Sequence, residues 1–447
     1  MAQERVTRGV ELESVVINSS RFINPAGINI YGLVTDIEIF EQMDLPYITG
    51  QIAFVDTERL LDRIMFDGGE SLTITMKQSN NDNTITKTFF IDSMIATAKI
   101  NETSELITLH FMEDIAFISR FLNVNRSYSG SPDSIIKKIS NEYLKKDIDL
   151  INEDVFENKM KVIVPNLEPI AAMSWIKNRM TTSEGMPFYL FSSFIGTRLN
   201  LVDLKSMINA PPVNPRSPFM HGVNNLYTEN EQGAFRYYPI MNYSHVDTDN
   251  LYDLVGNGLV GATYSYYDSN SGKFSKQKFN INSTLVNVND DKNKKVNLPV
   301  DLEIRDDLDP ISINSARKIY QLSQSGVYDD GTGRFKSYDE EAFQTSHMQK
   351  VKNRSLKHTL LKDNISIRIS GSGFLQGGYH RTVGNVIRLG FKANRPSDQD
   401  IAFDLKKSGD YIIYSCKHSI RSEKYDLHLQ CAKLTSYKDD KFLRNAG

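Results

Sequence analysis

Asp36 and Glu38 alternate strictly with Ile37 and Ile39, and Ser71, Thr73 and Thr75 alternate with Leu72, Ile74 and Met76. A period of two is the mark of a strand with one buried face, so the first 115 residues read as antiparallel β. Between these strands Asp56 is placed to cap a short helix carrying Leu60, Leu61 and Ile64, which Gly68-Gly69 would end. The period then lengthens. Met112 to Phe121 puts Ile115, Ile118 and Phe121 on one side, and Ser131-Pro132 opens a helix striped by Ile135, Ile136, Ile139 and Tyr143. A further helix from about Pro169 to Met180 groups Ile170, Met173, Ile176 and Met180. It leads to two strands, Phe188 to Ser192 and Leu199 to Leu204, around Gly196. After Pro211, Pro212 and Pro215 the β character returns. Gly261 to Phe279 reads as a hairpin turning at Ser269-Asn270-Ser271-Gly272. Asn287 to Asn297 reads as a polar surface loop, Ser325 to Tyr338 as irregular, and Glu340 to Leu360 as a helix. Ile365, Ile367 and Ile369 then alternate with Ser366, Arg368 and Ser370.

The two ends of the chain carry one pattern twice. Gly69, Leu72, Ile74, Met76 and Lys77 are repeated at the same spacing by Gly384, Ile387, Leu389, Phe391 and Lys392. Each strand is followed by a hairpin, Phe89 to Phe111 and Tyr411 to Leu429. The matched positions are Phe89/Tyr411, Phe90/Ile412, Ile91/Ile413, Ser93/Ser415, Leu109/Leu427 and His110/His428. Two degenerate β units in one chain present near-equivalent surfaces twice per subunit, which points to an assembly part before an enzyme. The fold class that follows is mixed β and α+β, with two similar antiparallel β-barrel domains and an inserted α/β domain. The expected boundaries are 1–115 for the first barrel, 116–218 plus 284–344 for the insertion, and 219–283 plus 345–447 for the second barrel.

Bulk properties narrow the function classes. A chain of 447 residues exceeds a single core. Its 40% hydrophobic and 24% charged content is that of a globular protein, and a net charge of -3 with no basic block argues against tight nucleic-acid binding. Met1 to Glu11 lacks the apolar stretch of a secretory signal, and no apolar run is long enough to span a membrane. The two cysteines, Cys416 and Cys431, suit a reducing cytoplasm. With the hairpin turn at Ser422-Glu423, Cys416 opposes Leu429 and Cys431 opposes Tyr414. The sulfurs then sit diagonally, beyond ordinary disulfide reach, so two buried free thiols are expected.

A search for chemistry returns ordinary structural explanations. His347 and His358 lack an HExxH arrangement, and His110 and His428 occupy repeated positions. The glycine-rich run Gly371 to Gly378 follows a strand but leads to another strand rather than a helix, so a bend fits it better than a phosphate cradle. It holds no Gly-x-Ser-x-Gly elbow either. Asp290-Asp291, Asp329-Asp330 and Glu340-Glu341 fall in polar loops or at a helix start, where solvated carboxylates suffice. Trp175 belongs to packing. The cluster Tyr237, Tyr238, Tyr264, Tyr266 and Tyr267 fits an interface and plain strand propensity equally well. No catalytic, cofactor-binding or metal-ligating residue is therefore assigned, and no cofactor.

Met173-Ser-Trp-Ile-Lys-Asn-Arg-Met180, Gly185-Met-Pro-Phe-Tyr-Leu-Phe191, Leu199-Asn-Leu-Val-Asp-Leu204, Ser408-Gly-Asp-Tyr-Ile-Ile413 and Leu427-His-Leu429 lie between and within the duplicated units. In this order the elements resemble the baseplate hub proteins of contractile-tailed bacteriophages across almost the whole chain; the stretch between Asn287 and Tyr338 has no match. The resemblance implies a structural virion protein of the tail baseplate, assembled in the host cytoplasm. It would be a homotrimer whose two barrels per subunit form a pseudo-sixfold ring. One face would meet the tail tube or its initiator and the other a central spike, with the tape-measure protein and baseplate wedges as further neighbours. DNA would pass through without specific binding. The duplication supplies the physical reason, since three chains of two barrels each give six similar surfaces. The hub of a phage-derived contractile injection system fits the same residues, whereas a cell-wall-degrading β-rich enzyme would need a carboxylate pair or metal set that is not found.

Overall fold

A computed structural model describes residues 10–19, 27–60, 66, 68–78, 84–151, 160–182, 184–213, 218–222, 238–247, 251–268, 272, 274–281, 317–323, 327–329, 335–337, 351–361, 363–371, 381–393, 403–404, 406–421 and 424–436. The first unit contains β1 (Val10–Asn18), β2 (Ile28–Asn29), β3 (Val34–Gln42), β4 (Thr49–Asp56), β5 (Ser71–Gln78), β6 (Thr84–Lys99) and β7 (Glu105–Glu113). Its sheet runs β2-β1-β5-β6-β7-β4-β3 and is antiparallel throughout. The alternation in β3 and β5 buries Ile37, Ile39, Leu72, Ile74 and Met76 as the period of two requires. Leu60 is buried at the start of a helix, and Leu61 and Ile64 lie outside the described residues.

The helix expected over Met112 to Phe121 is shorter, Asp114–Ser119, and only Ile115 of its predicted face is buried. Ile118 and Phe121 face outward, because β7 runs on to Glu113 and leaves the helix little more than one turn to orient. Next come β8 (Ser127–Gly130), the helix Pro132–Ile139, β9 (Ile148–Ile151), β10 (Met160–Ile163), the helix Pro169–Lys177, β11 (Phe188–Phe191) and β12 (Leu199–Asp203). β8 pairs with β10, while β11 and β12 form a hairpin to which β9 adds in parallel. Ile135, Ile136, Ile139, Met173, Ile176 and Met180 pack into one core. β11 is buried on both faces: Phe188 and Leu190 enter that core, and Tyr189 and Phe191 enter the larger core of the β units. A strand between two cores reads as a continuous apolar run, which is what Phe-Tyr-Leu-Phe is.

The second unit is built from β13 (Phe219–His221), β14 (Tyr238–Asp247), β20 (Asp363–Ser370), β21 (Val386–Phe391), β22 (Gly409–Arg421) and β23 (Lys424–Ser436). Between them lie β15 (Gly261–Asp268), β16 (Phe274–Asn280), β17 (Lys318–Ser323), β18 (Val327–Asp329), β19 (Phe335–Ser337) and a helix over 351–360. The order β13-β14-β20-β23-β22-β21-β13 closes a six-stranded barrel. The duplication is visible in topology. The order β3-β4-β7-β6-β5 in the first unit and β14-β20-β23-β22-β21 in the second use equivalent strands in equivalent chain order, all antiparallel.

Ser325 to Tyr338, read from the sequence as irregular, holds the antiparallel pair β18–β19, and three further details differ from the sequence-based expectation. First, β13 runs parallel to both β14 and β21, where β1 is antiparallel to β5. The chain arrives from the insertion through Val213, which bridges Ile387 in parallel, and so enters beside the start of β21. In the first unit no ladder joins β1 to β3 among the described residues, and the turn Tyr31–Leu33 stands between them, held by Ile30 N–H donating to Val15 O. Second, the hairpin β15–β16 is not a barrel strand pair: β15 takes β17 in parallel, so Lys318–Ser323 joins residues 261–280 rather than the insertion. Third, the hairpin match slips by two residues. Both β6 and β22 carry a bulge, at Asp92 and Tyr414, and counting from it Leu109 corresponds to Leu429 and His110 to Gln430; β6 has a further bulge at Ile95. A two-residue slip keeps the face, and Leu109, Leu427 and Leu429 are all fully buried. The same bulge places Cys431 opposite Ile413 instead of Tyr414, while Cys416 opposes Leu429 as expected; both thiols are free and buried.

Candidate assembly interface

The two β units join strand to strand. Beyond its bulge, β22 continues past the edge of its own barrel, and Ser415–Ile420 pair antiparallel with Gln42–Ile37 of β3. A bulge bends a strand and increases its local twist, which is what lets β22 serve β21 with its first half and β3 with its second. On the solvent side Lys417 Nζ lies 2.9 Å from Glu38 Oε1, and Arg421 Nη2 lies 3.1 Å from Asp36 Oδ2. Burial works to raise the Glu38 pKa, but the hydrogen bonds from Lys417 and Gln51 and the Lys417 and Arg421 charges outweigh it. They hold this carboxyl below its ordinary value.

The buried side of the junction holds a polar node. Phe194 N–H donates to Glu41 Oε1 at 2.6 Å, and His418 Nε2 lies 3.0 Å from the same oxygen. His418 Nδ1 lies 2.7 Å from the Tyr425 hydroxyl, and its ring stacks on Tyr425 at a centroid distance of 6.0 Å. Glu41 belongs to the first unit, His418 and Tyr425 to the second, and Phe194 to the segment between them. One carboxylate therefore ties three parts of the chain. Elsewhere, Asp44 receives both Lys177 and Lys357 at 3.4 Å for the latter, and Lys87 of β6 reaches the carbonyls of Ser193 and Gly196.

Cys416 Sγ lies 3.6 Å from His418 Nε2, so thiol, imidazole and carboxylate are adjacent in the manner of a nucleophilic triad. The chemistry opposes that use. Burial, and then the Glu41 charge, push the Cys416 thiol well above its ordinary pKa, where an activated cysteine needs the reverse. His418 and Glu41 are 0% and 1% exposed, so no substrate reaches them. The node is a joint.

His110 lies 2.6 Å from Asp92 on the flank of β6–β7, His358 is exposed, and His347 lies outside the described residues. No group of three or more metal-ligating side chains occurs among the described residues. Of the acidic pairs only Asp329 is described, in β18, and of the glycine run only Gly371, where an added Cβ would fall 2.0 Å from the Tyr425 ring. That contact accounts for the first glycine by close approach to the node. Trp175 packs against the insertion's core with the Arg179 guanidinium 3.7 Å over its ring. Tyr264 and Tyr266 are buried, Tyr267 is half exposed, and Tyr237 lies outside the described residues. Sequence reasoning missed the Glu41–His418–Tyr425 node. Its signal was present: continuing the Ile37, Ile39 alternation by one step puts a glutamate, Glu41, on the buried face. Among the described residues no helix is long and apolar enough to cross a membrane.

No protein-family model and no curated protein matches the chain. Solved structures do. A tail protein from Neisseria meningitidis MC58 is 14% identical, with 98% of this chain and 99% of that one covered at a TM-score of 0.52. The 43 kDa tail protein of prophage MuSo2 from Shewanella oneidensis is 8% identical, with 94% and 98% covered at 0.51. An Escherichia coli component of the type VI secretion system aligns at 8% identity and a TM-score of 0.42, with 96% and 79% covered. At these identities what is shared is the fold: the chain has the mostly-β architecture, with a closed barrel and additional sheets, of the phage tail proteins it resembles.

Proposed function

We propose that this chain is a structural subunit of a phage-type contractile tail, the central baseplate hub, working as a homotrimeric ring. Three chains contribute six related β units around one axis, so a threefold spike and a sixfold tail tube can each meet a matching surface. The observation that carries this reading is the junction between β3 and β22. Two units of equivalent strand order are already joined strand to strand in one chain, and the contact is heterologous, the kind that closes rings when repeated. The tail-protein names of the two solved structures above support the same setting. DNA passes through such a ring without being gripped, because a strongly basic lining would hold phosphates in a salt-dependent manner; the chain's net charge of -3 agrees with that. The role asks for no catalysis.

Native mass measurement of the purified chain, alone and mixed with the central spike protein of the same tail, tests the proposal. Three chains per particle, and three chains with one spike trimer in the mixture, are expected. A monomer that remains monomeric with its spike removes the adapter role.

A further inference from the structure

The in-chain junction leaves its two structural counterparts without a partner strand among the described residues. In the second unit Gly409–Ile412 of β22 pair with β21, and Ser415–Ile420, past the bulge at Tyr414, pair with β3. β6 is built on the same plan with one addition. Thr84–Phe90 pair with β5, a bulge falls at Asp92 and a second at Ile95, and Ser93–Lys99 go on with β7 along one edge. Along the other edge no described residue pairs with them. Met94 and Ile95 are 39% and 53% exposed, no proline interrupts the strand, and its one charge in this stretch is the terminal Lys99. The Ile95 bulge blunts the start of this edge, and the regular run after it, Ala96–Lys99, with no proline and a single terminal charge, is a template for another strand.

The same comparison applied to β3 leads to β14. β3 bulges against β4 at Thr35, and β14 bulges against β20 at Met241. Past its bulge β3 offers Ile37–Gln42 to β22. Past its own, β14 carries Tyr243–Asp247 on β20, while β13 covers only Tyr238 and Pro239 on the opposite edge. Each unit thus owns one edge of each kind, and among the described residues only one of each is paired.

We propose that Tyr243–Val246 of one copy of this chain pairs antiparallel with Ala96–Lys99 of the next copy, repeating between subunits the β3–β22 ladder found within a subunit. The inference rests on the ring reading above and deepens it by naming the strands and their register. Leu109 corresponds to Leu429, so Thr108 corresponds to His428; Ala96, opposite Thr108, then stands for Lys417, and Thr97 for His418. From the paired bulges, His245 stands for Ile39 and Tyr243 for Ile37. Ile39 faces His418 and Ile37 faces Ile420. Therefore His245 of one copy faces Thr97 of the next, and Tyr243 faces Lys99. Each copy contributes one edge of each kind, so the contact is heterologous, the kind that builds a closed ring or a filament.

The charges sharpen the picture. Within the chain the ladder is flanked by Lys417–Glu38 and Arg421–Asp36. Between copies the corresponding positions are Ala96 with Ser244 and Ile100 with Asn242, without an ion pair. The contact between copies therefore depends little on ionic strength, where screening would weaken one held by exposed ion pairs.

The test is the full chain carrying Thr97→Cys and His245→Cys, mildly oxidised at several concentrations and salt strengths, with light scattering on the same samples. Residues directly opposite in an antiparallel pair have Cα atoms roughly 4.5 to 5.5 Å apart, inside disulfide range, and native Cys416 and Cys431 are too buried to contribute. Expected are covalent species stopping at three chains, absent from either single variant and unchanged by salt. Trimers by scattering that do not cross-link overturn the strand pairing and leave the ring reading standing. A covalent ladder running well past three chains supports the pairing and overturns ring closure, and monomers at every concentration overturn both. If the double variant fails to fold, hydrogen exchange on the unmodified chain decides: amides of 96–99 and 243–246 should slow about tenfold or more on assembly, and unchanged exchange in the assembled state overturns the proposal.

Discussion

Replacing His418 with leucine should destabilise the protein far more than its apolar surroundings suggest. The substitution removes the imidazole from Glu41 Oε1 at 3.0 Å and from the Tyr425 hydroxyl at 2.7 Å. A hydrogen bond to a charged group is worth about 1.5–3 kcal/mol and a neutral one about 1 kcal/mol. The larger effect is on what remains: a carboxylate 1% exposed, whose Oε2 has no hydrogen-bond partner, would keep only the Phe194 amide. Breaking a buried pair by removing one member costs about 3–5 kcal/mol, so His418→Leu and Glu41→Leu should each fall near that range. The double variant should cost less than the sum by about 1–3 kcal/mol, the coupling expected of contacting groups. Urea unfolding is followed by circular dichroism for the strands and by the fluorescence of Trp175, the only tryptophan, which reports on the insertion's core. Loss of the joint should lower both transitions, since Phe194 links that segment to the node. Single-variant costs below about 1 kcal/mol, or costs that simply add, would mean that the Glu41–His418 contact does not hold the two units together.

Glu38 gives a pH dependence with a definite sign. Its folded pKa lies below the ordinary value of 4.5, so its contribution is present above that pH and is lost as pH falls through the folded pKa. Glu38→Gln should therefore lower the unfolding midpoint at pH 7 and leave it nearly unchanged near pH 2, and equal losses at both pH values would count against the pairing with Lys417. Gly50→Ala should cost about 1–3 kcal/mol by overpacking, because its Cβ would fall 2.3 Å from the Phe111 ring and 2.5 Å from the Glu38 carbonyl oxygen; a neutral result in thermal unfolding would show that β4 moves freely there. Thiol titration without reductant should find neither Cys416 nor Cys431 reactive in the folded state and both after denaturation, as two buried thiols with raised pKa values require.

The strands were legible wherever one face is buried and the other wet. β3, β5 and β20 announce themselves by alternation, and β11 by the continuous apolar run of a strand between two cores. The repeat of Leu72 in Ile387 was legible for the same reason, as were the faces of Leu109 and Leu427. Register was not. The bulges at Asp92 and Tyr414 carry no strong residue signature, and a period of two hides a slip of two. Strand direction was also hidden: nothing in Phe219–His221 says that it runs parallel to both neighbours, because that follows from where the chain re-enters the barrel. The joint was half legible. Glu41 stands on the buried face of a readable strand, but its partners lie in β22, β23 and a loop, hundreds of positions away in the chain.

If three copies of this chain place six related β units around one axis, electron micrographs of the purified particle viewed end-on and averaged without imposed symmetry will show a closed ring of six lobes around an open centre, in three alternating pairs, with a particle mass three times the 50.8 kDa chain. A ring with any lobe number other than six, or a field of isolated two-lobed particles at assembly concentrations, would rule out the threefold ring.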